Sequence, residues 1–162
     1  PPDLEREELG TWFQIYRTFN MGLKLSISEI CDKCSSISKK PEKVAWLREN
    51  DSQPLRTVLK YTYDSNVEFL IPGTSPPWNK NEYEDEAKLL LYREARRLKI
   101  FVKGGGYDNL NKIKRESLFI SLLEDIDNND AELLANHMIT KTPIKGLTKA
   151  TVIEAFPNLI EE

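Results

Sequence analysis

Residues 101–116, FVKGGGYDNLNKIKRE, hold the densest set of groups able to do chemistry: three successive glycines, an aspartate and the cations Lys103, Lys112, Lys114 and Arg115. Glycines that open onto a helix can aim backbone N–H groups at a phosphate. The Walker arrangement requires Gly, four residues, then Gly-Lys-Ser/Thr, whereas Gly104–Gly106 continue as Tyr107-Asp108-Asn109. The dinucleotide fingerprint needs spaced glycines between a strand and a helix, and the pattern before Gly104 is helical through Leu98 and Phe101. The glycines are therefore expected to end one helix and form a turn, because Gly accepts the left-handed backbone of a helix C-terminus without a steric cost. No nucleotide cofactor is expected.

Three other constellations imitate chemistry and stop short of it. Cys31 and Cys34 form CDKC on one helix, which is half of a zinc site, and the chain offers a single histidine, His137, to complete the other half. A redox pair would place its first cysteine at a helix N-terminus after a strand, and these fall mid-helix, so buried packing is expected. DIDNNDAELLAN (125–136) copies a calcium loop at Asp125, Asp127 and Asn129, then puts Asp130 where a turning Gly belongs and Asn136 where a bidentate Glu belongs. A break between helices, with Asn129 or Asp130 as the next N-cap, accounts for those letters. His137 has no Ser or Cys nucleophile near it in sequence. No catalytic residue, metal ligand or cofactor-binding residue is assigned.

The basic stretch is more informative. Between positions 93 and 115 stand eight basic residues (Arg93, Arg96, Arg97, Lys99, Lys103, Lys112, Lys114, Arg115) against two acidic ones (Glu94, Asp108). Arg93, Arg96 and Arg97 lie at i, i+3, i+4 on one helix, and Lys112 and Arg115 at i, i+3 on the next, with Tyr92 and Tyr107 nearby for stacking. If the two helices are antiparallel neighbours, these five cations merge into a patch for a phosphate backbone. The competing reading is a solvated face paired with Glu94 and Glu116, and the whole chain, at a formal charge of −3, gives it weight.

What must position these residues is a helical array. A chain of 162 residues with 40% hydrophobic and 30% charged content is an ordinary globular composition, long enough to bury a core without metal or disulfide. No apolar run approaches the roughly 18 residues that span a bilayer, so no membrane partner is expected. SISE at 26–29 carries a capping box, Pro41 suits the first turn of PEKVAWLREN, and Ser52 caps a helix with Leu55, Val58, Leu59 and Thr62 on its buried face. Residues 82–102 are expected as the longest helix, acidic at Glu82, Glu84, Asp85 and Glu86 and basic toward its end, as the helix dipole favours. A further helix over 109–126, with Ile113, Leu118, Ile120, Leu122 and Leu123, is apolar nearly all round in its second half and belongs at the centre. NNDAELLANHM restarts helix, and Thr148 and Pro157 bound the last one. The expected fold class is all-α, a compact array of six or seven helices in a single domain over 21–162.

Between 64 and 81 the helical pattern fails. NVEFLIPGTSPPWNK combines a β-prone run with the Pro72-Gly73 turn and the stiff Pro76-Pro77 pair. Phe69, Leu70, Ile71 and Trp78 predict an ordered strap across the helices; the alternative is a docking surface for a protein partner, with Trp78, Pro76 and Pro77 as its contacts. Residues 1–20 have two readings. Either they precede a domain that starts at Met21 and stand apart from the native protein, or Leu9, Trp12, Phe13 and Tyr16 at i, i+3, i+4, i+7 dock as one helix face.

ENDSQPLRTVLKYTYDSNVEFLIPGTSPPW, KIKRESLFISLLEDIDNNDAELL and KGLTKATVIEAFPNL, in that order, resemble an uncharacterised family of small proteins of T4-like tailed bacteriophages, especially those of marine cyanobacteria. The resemblance covers most of 21–160 and none of 1–20. It implies a viral protein acting in the cytoplasm of an infected host cell and brings no catalytic residues. The expectation is a non-enzymatic accessory protein that binds a protein partner, with nucleic-acid binding through 93–115 as the alternative.

Overall fold

The structure is a computed structural model describing residues 24–82 and 86–161, and among these it is all-α. Seven α-helices follow in order: α1 (Ile27–Ser36), α2 (Lys40–Glu49), α3 (Gln53–Tyr63), α4 (Leu90–Glu94), α5 (Lys112–Asp125), α6 (Asn128–Leu133) and α7 (Lys149–Ala155). Two of them change pitch: α4 tightens into a 3-10 helix over Ala95–Phe101, and α6 widens into a π-helix over Leu134–Met138. The proposed helix at 1–20, and Glu84 and Asp85 of the acidic turn, lie outside the described residues.

Local sequence determines most boundaries. Ser26 and Glu29 close a reciprocal capping box on α1. Ser52 accepts from Leu55 N on α3, and Thr148 from Thr151 N on α7. Pro41 sits in the first turn of α2. α6 is capped by Asp127, whose carboxylate accepts from the amides of Asn129 and Asp130, and neither of those two is the cap. α3 runs through the middle, against both the 3-10 segment and the π segment. α1 packs on α2 and α6, α2 on α7, and α5 on α6 and the 3-10 segment. Trp46 Nε1 donates to Ile30 O at 2.9 Å, and Arg48 donates to Ala155 O and Glu154 O at 3.1 and 2.7 Å, so α2 is tied on both sides.

The region expected as the longest helix is the largest departure; α5, with 14 residues, is longer than α4 and its 3-10 continuation together. A 3-10 helix has three residues per turn, so positions three apart eclipse. Ala95, Leu98 and Phe101 thereby form one row, 3, 0 and 1% exposed, while Arg96, Arg97 and Lys99 of the other two rows are exposed and Ile100 is half-buried against the core. Phe101 meets the Phe119 ring of α5 edge-on, at 5.1 Å between centroids and 72°. An α-helical 82–102 would rotate Phe101 away from that contact by about 60° over three residues. α5 itself is one-sided: Phe119, Leu122 and Leu123 are buried, Leu118 and Ile120 half-buried, and Ile113 is 78% exposed.

The chain between 64 and 81 is an ordered strap. Glu68 and Leu70 pair with Lys103 and Phe101 through two backbone hydrogen bonds of 2.8 Å, and Phe69 forms an isolated antiparallel bridge with Val102. At the far end Asn81 exchanges hydrogen bonds with Asn128 and donates to Ile126 O and Glu124 O. Trp78 is half-buried against the core.

Gly104 and Gly106 have φ of +81° and +96°, while Gly105 is needed for room: a Cβ there would lie 1.9 Å from Lys99 O. Gly104→Ala should cost about 1–2 kcal/mol from backbone strain alone, and Gly105→Ala should cost more, about 3 kcal/mol, because the obstacle is backbone that cannot rotate away. Urea unfolding of the two variants checks this order, and equal midpoints would refute it.

Candidate functional site

The glycine loop joins the 3-10 helix to α5. The helix ends at Phe101, Val102 is extended, and Gly104 follows three residues after the helix end, so it opens the turn and is not the C-cap. The Gly104 amide, which a phosphate would need, is occupied by the loop's own Asp108: N–H donates to both carboxylate oxygens at 3.0 Å. Asn111 accepts from the amides of Ile113 and Lys114 and caps α5.

Beneath the loop lies Arg115, 5% exposed. Its Nε donates to Ile100 O at 3.2 Å, and Nη2 donates to Tyr107 O and Asp108 O at 2.6 and 3.3 Å. No carboxylate lies within ion-pair distance of it among the described residues. The expectation that Arg115 joins an exposed patch is thus corrected. Its position in α5 puts it on the same face as Phe119 and Leu122, and the one way to bury a guanidinium there is to satisfy its donors with turn carbonyls.

The other cations remain outside. Arg93 and Arg97 share Glu94 at 3.2 and 3.0 Å. Arg96, Lys99, Lys112 and Lys114 are exposed and carry no ion pair among the described residues; Lys103 reaches Glu68 at 3.7 Å, with both side chains about two-thirds exposed. Arg96 and Lys99 occupy one row of the 3-10 helix; the loop folds back onto Lys99 O and Arg115 of α5 donates to Ile100 O, so the end of the 3-10 helix and the start of α5, which carries Lys112 and Lys114, meet at this corner. Tyr107 is 43% exposed on the glycine loop, and Ile113, between Lys112 and Lys114 in the chain, is 78% exposed. Ile113, one of the apolar positions of this helix in the sequence, lies in its first turn after the Asn111 cap, with the exposed Ser117 as its i+4 neighbour. That spacing was the available signal.

A second surface lies along the strap. An open cleft of about 780 Å³ is lined by Tyr63, Asn66, Val67, Phe69, Ile71 and Lys141, among others. The strap's hydrogen bonds to 101–103 leave from Glu68 O and Leu70 N. Alternation then turns the Phe69 N–H and C=O the other way, where they find no partner among the described residues. Lys141, at φ +58°, donates to Asp64 O at 2.6 Å with its ammonium 5.5 Å from the Phe69 ring; burial holds its titration below the usual lysine value. Burial would raise the Asp64 carboxyl, but the amides of Asn66 and Glu161 together with the charges of Lys60 and Lys141 outweigh it and keep it low. Pro76 is half-buried and Pro77 exposed, over a small cavity of about 170 Å³ floored by Phe119 and Ile139.

A family model described as a family of unknown function, DUF6433, matches residues 30–142. The chain belongs to DUF6433. The part matched to DUF6433 contains the strap, the glycine loop, Arg115 and α6, and stops before α7. No curated protein and no solved structure gives a significant match to this DUF6433 member.

The remaining candidates are structural in their surroundings. Cys31 and Cys34 are buried, and burial pushes both thiols up, so neither is held as a thiolate. His137 sits at the end of the π segment with Nδ1 3.1 Å from Thr142 O. Asp130, which the sequence offers as a helix cap, is fully buried instead: Oδ1 accepts from Ser28 N at 2.8 Å, and Oδ2 has no partner among the described residues. Burial pushes its carboxyl up to about 7, opposed by the Ser28 amide and hydroxyl and reinforced by Asp127 and Glu29.

Two outcomes are expected. Arg115→Lys keeps the charge but cannot reach three carbonyls with one planar fork, and should cost about 2–3 kcal/mol in urea unfolding, while Lys114→Ala leaves stability within about 0.5 kcal/mol. For Asp130, the unfolded carboxyl releases its proton near 3.8 and the folded one near 7, so folding takes up a proton in between. Stability must therefore fall as pH rises from about 4 to about 7, by up to a few kcal/mol at about 1.4 kcal/mol per unit. Asp130→Asn should flatten that slope in melts across the same range; an unchanged slope would assign it to another group.

Proposed function

We propose that the protein is a non-enzymatic interaction module that takes an extended segment of a partner protein along its strap. The observation that carries the reading is the Phe69 backbone edge, whose N–H and C=O lack partners among the described residues, set in a wall of the 780 Å³ cleft. An extended peptide can satisfy such an edge by adding a strand, with affinity from main-chain hydrogen bonds and selectivity from side-chain pockets. Val67 and Ile71 offer apolar contact, and Lys141 offers a cation at the rim. The strap is tied at both ends, so an incoming segment meets a surface already ordered. On the strength of the three phrases that resemble tailed-phage proteins, the reading extends to an accessory protein acting in an infected cell.

A photo-reactive amino acid at Glu68, which is exposed on the strap, should cross-link to a discrete protein in cells expressing the chain. The same group at Ala45, exposed on α2, should not. Equal labelling from both positions refutes the cleft. Turnover in a hydrolase or transferase panel that disappears in His137→Ala would refute the non-enzymatic reading.

A further inference from the structure

The strap and the glycine loop present separate surfaces, and the second has a charge distribution that protein folding alone does not require. Most buried arginines face a carboxylate, because a desolvated cation without one is costly. Arg115 faces carbonyl dipoles and, among the described residues, no carboxylate. Around it Arg96, Lys99, Lys112 and Lys114 also lack carboxylates among the described residues, and Lys112 and Lys114 stand in the first turn of α5, where the helix dipole disfavours cations. The nearby acids are engaged elsewhere: Glu94 holds Arg93 and Arg97, Glu116 lines the cavity under the strap, and Asp108 is fixed on the Gly104 amide.

We infer that this surface binds single-stranded nucleic acid, with the phosphodiester backbone along Arg96, Lys99, Lys112 and Lys114 and an unstacked base on Tyr107 beside Ile113. Charge complementarity selects a polyanion. The aromatic and aliphatic groups between the cations select one whose bases are free to leave the stack, since a duplex offers this surface phosphates alone. Asp108 keeps its place, so the Gly104 amide is not a phosphate cradle and the contacts come from side chains. The cationic set differs from the five residues read off the sequence: Arg115 sets the field from below, Arg93 and Arg97 are held by the one carboxylate of Glu94, and Lys99 and Lys114 join Arg96 and Lys112.

The test is fluorescence anisotropy of a labelled mixed-sequence single-stranded DNA with the full chain, from about 0.03 to about 0.2 M salt. Binding should weaken linearly in log–log form, and Lys112→Ala/Lys114→Ala should reduce the slope by about 1.4, at about 0.7 per phosphate contact. Tyr107→Ala should weaken binding about five- to tenfold at fixed salt by removing a stacking platform. Asp108→Asn, which keeps an acceptor for the Gly104 amide and removes the charge, should tighten it. No binding at the lowest salt, equal affinity of the double variant, or preference for anionic vesicles or a poly-glutamate peptide over the oligonucleotide each overturns the inference. Unchanged cross-linking from Glu68 in the Lys112→Ala/Lys114→Ala variant would confirm that the two surfaces are distinct.

Discussion

A guanidinium with three carbonyl acceptors and, among the described residues, no carboxylate organises the junction of the 3-10 helix, the glycine loop and α5. Arg115 belongs to α5, Ile100 to the 3-10 helix, and Tyr107 and Asp108 to the loop between them, so one side chain fixes the relative position of three consecutive pieces of chain. The bonds to a charged donor are each stronger than neutral ones, which offsets the cost of removing the charge from water. With the guanidinium in place the loop has one path, and that path forces Gly105 against Lys99 O and lets Asp108 reach back to the Gly104 amide. The glycines serve this geometry by steric necessity, Gly105 through lack of space and Gly104 and Gly106 through left-handed backbone.

The strap depends on the same junction. Phe101 is a core residue through its side chain and a strap partner through its carbonyl, and Lys103, two residues on, holds Glu68 through its amide. Tightening α4 to three residues per turn keeps Phe101 in register with Leu98 and Ala95 while delivering Val102 in an extended conformation for the bridge to Phe69. The strap and the glycine loop are thus tied to one short stretch of backbone, which pairs with the strap over 101–103 and leads directly into Gly104.

Legibility in the sequence followed the range of the interaction. Capping residues such as Ser26, Ser52 and Thr148 act within three positions, and the boundaries they set were readable. So was the failure of helix from 64 to 81, where Pro72, Gly73, Pro76 and Pro77 forbid it locally. The pitch change after Glu94 was not readable, because Leu91, Ala95, Leu98 and Val102 fit an α-helical heptad and only the distant Phe119 favours the tighter form. Arg115 was misplaced because an arginine beside two lysines reads as solvated, and its acceptors are carbonyls, which every residue type possesses. Asp130 was hidden for a similar reason: its partner is a backbone amide on the first helix.

That last contact joins positions 102 residues apart in the chain. Closing so long a loop is entropically expensive and waits on many intervening contacts. During synthesis α1 to α3 emerge before α6, the helix that α1 packs on, so the Ser28 amide and the face of α1 around it wait for that partner until α6 has left the ribosome. For that interval the nascent chain presents an apolar surface whose natural cover is still being made, which makes the order of translation, as much as the final packing, a determinant of how cleanly this protein reaches its native state.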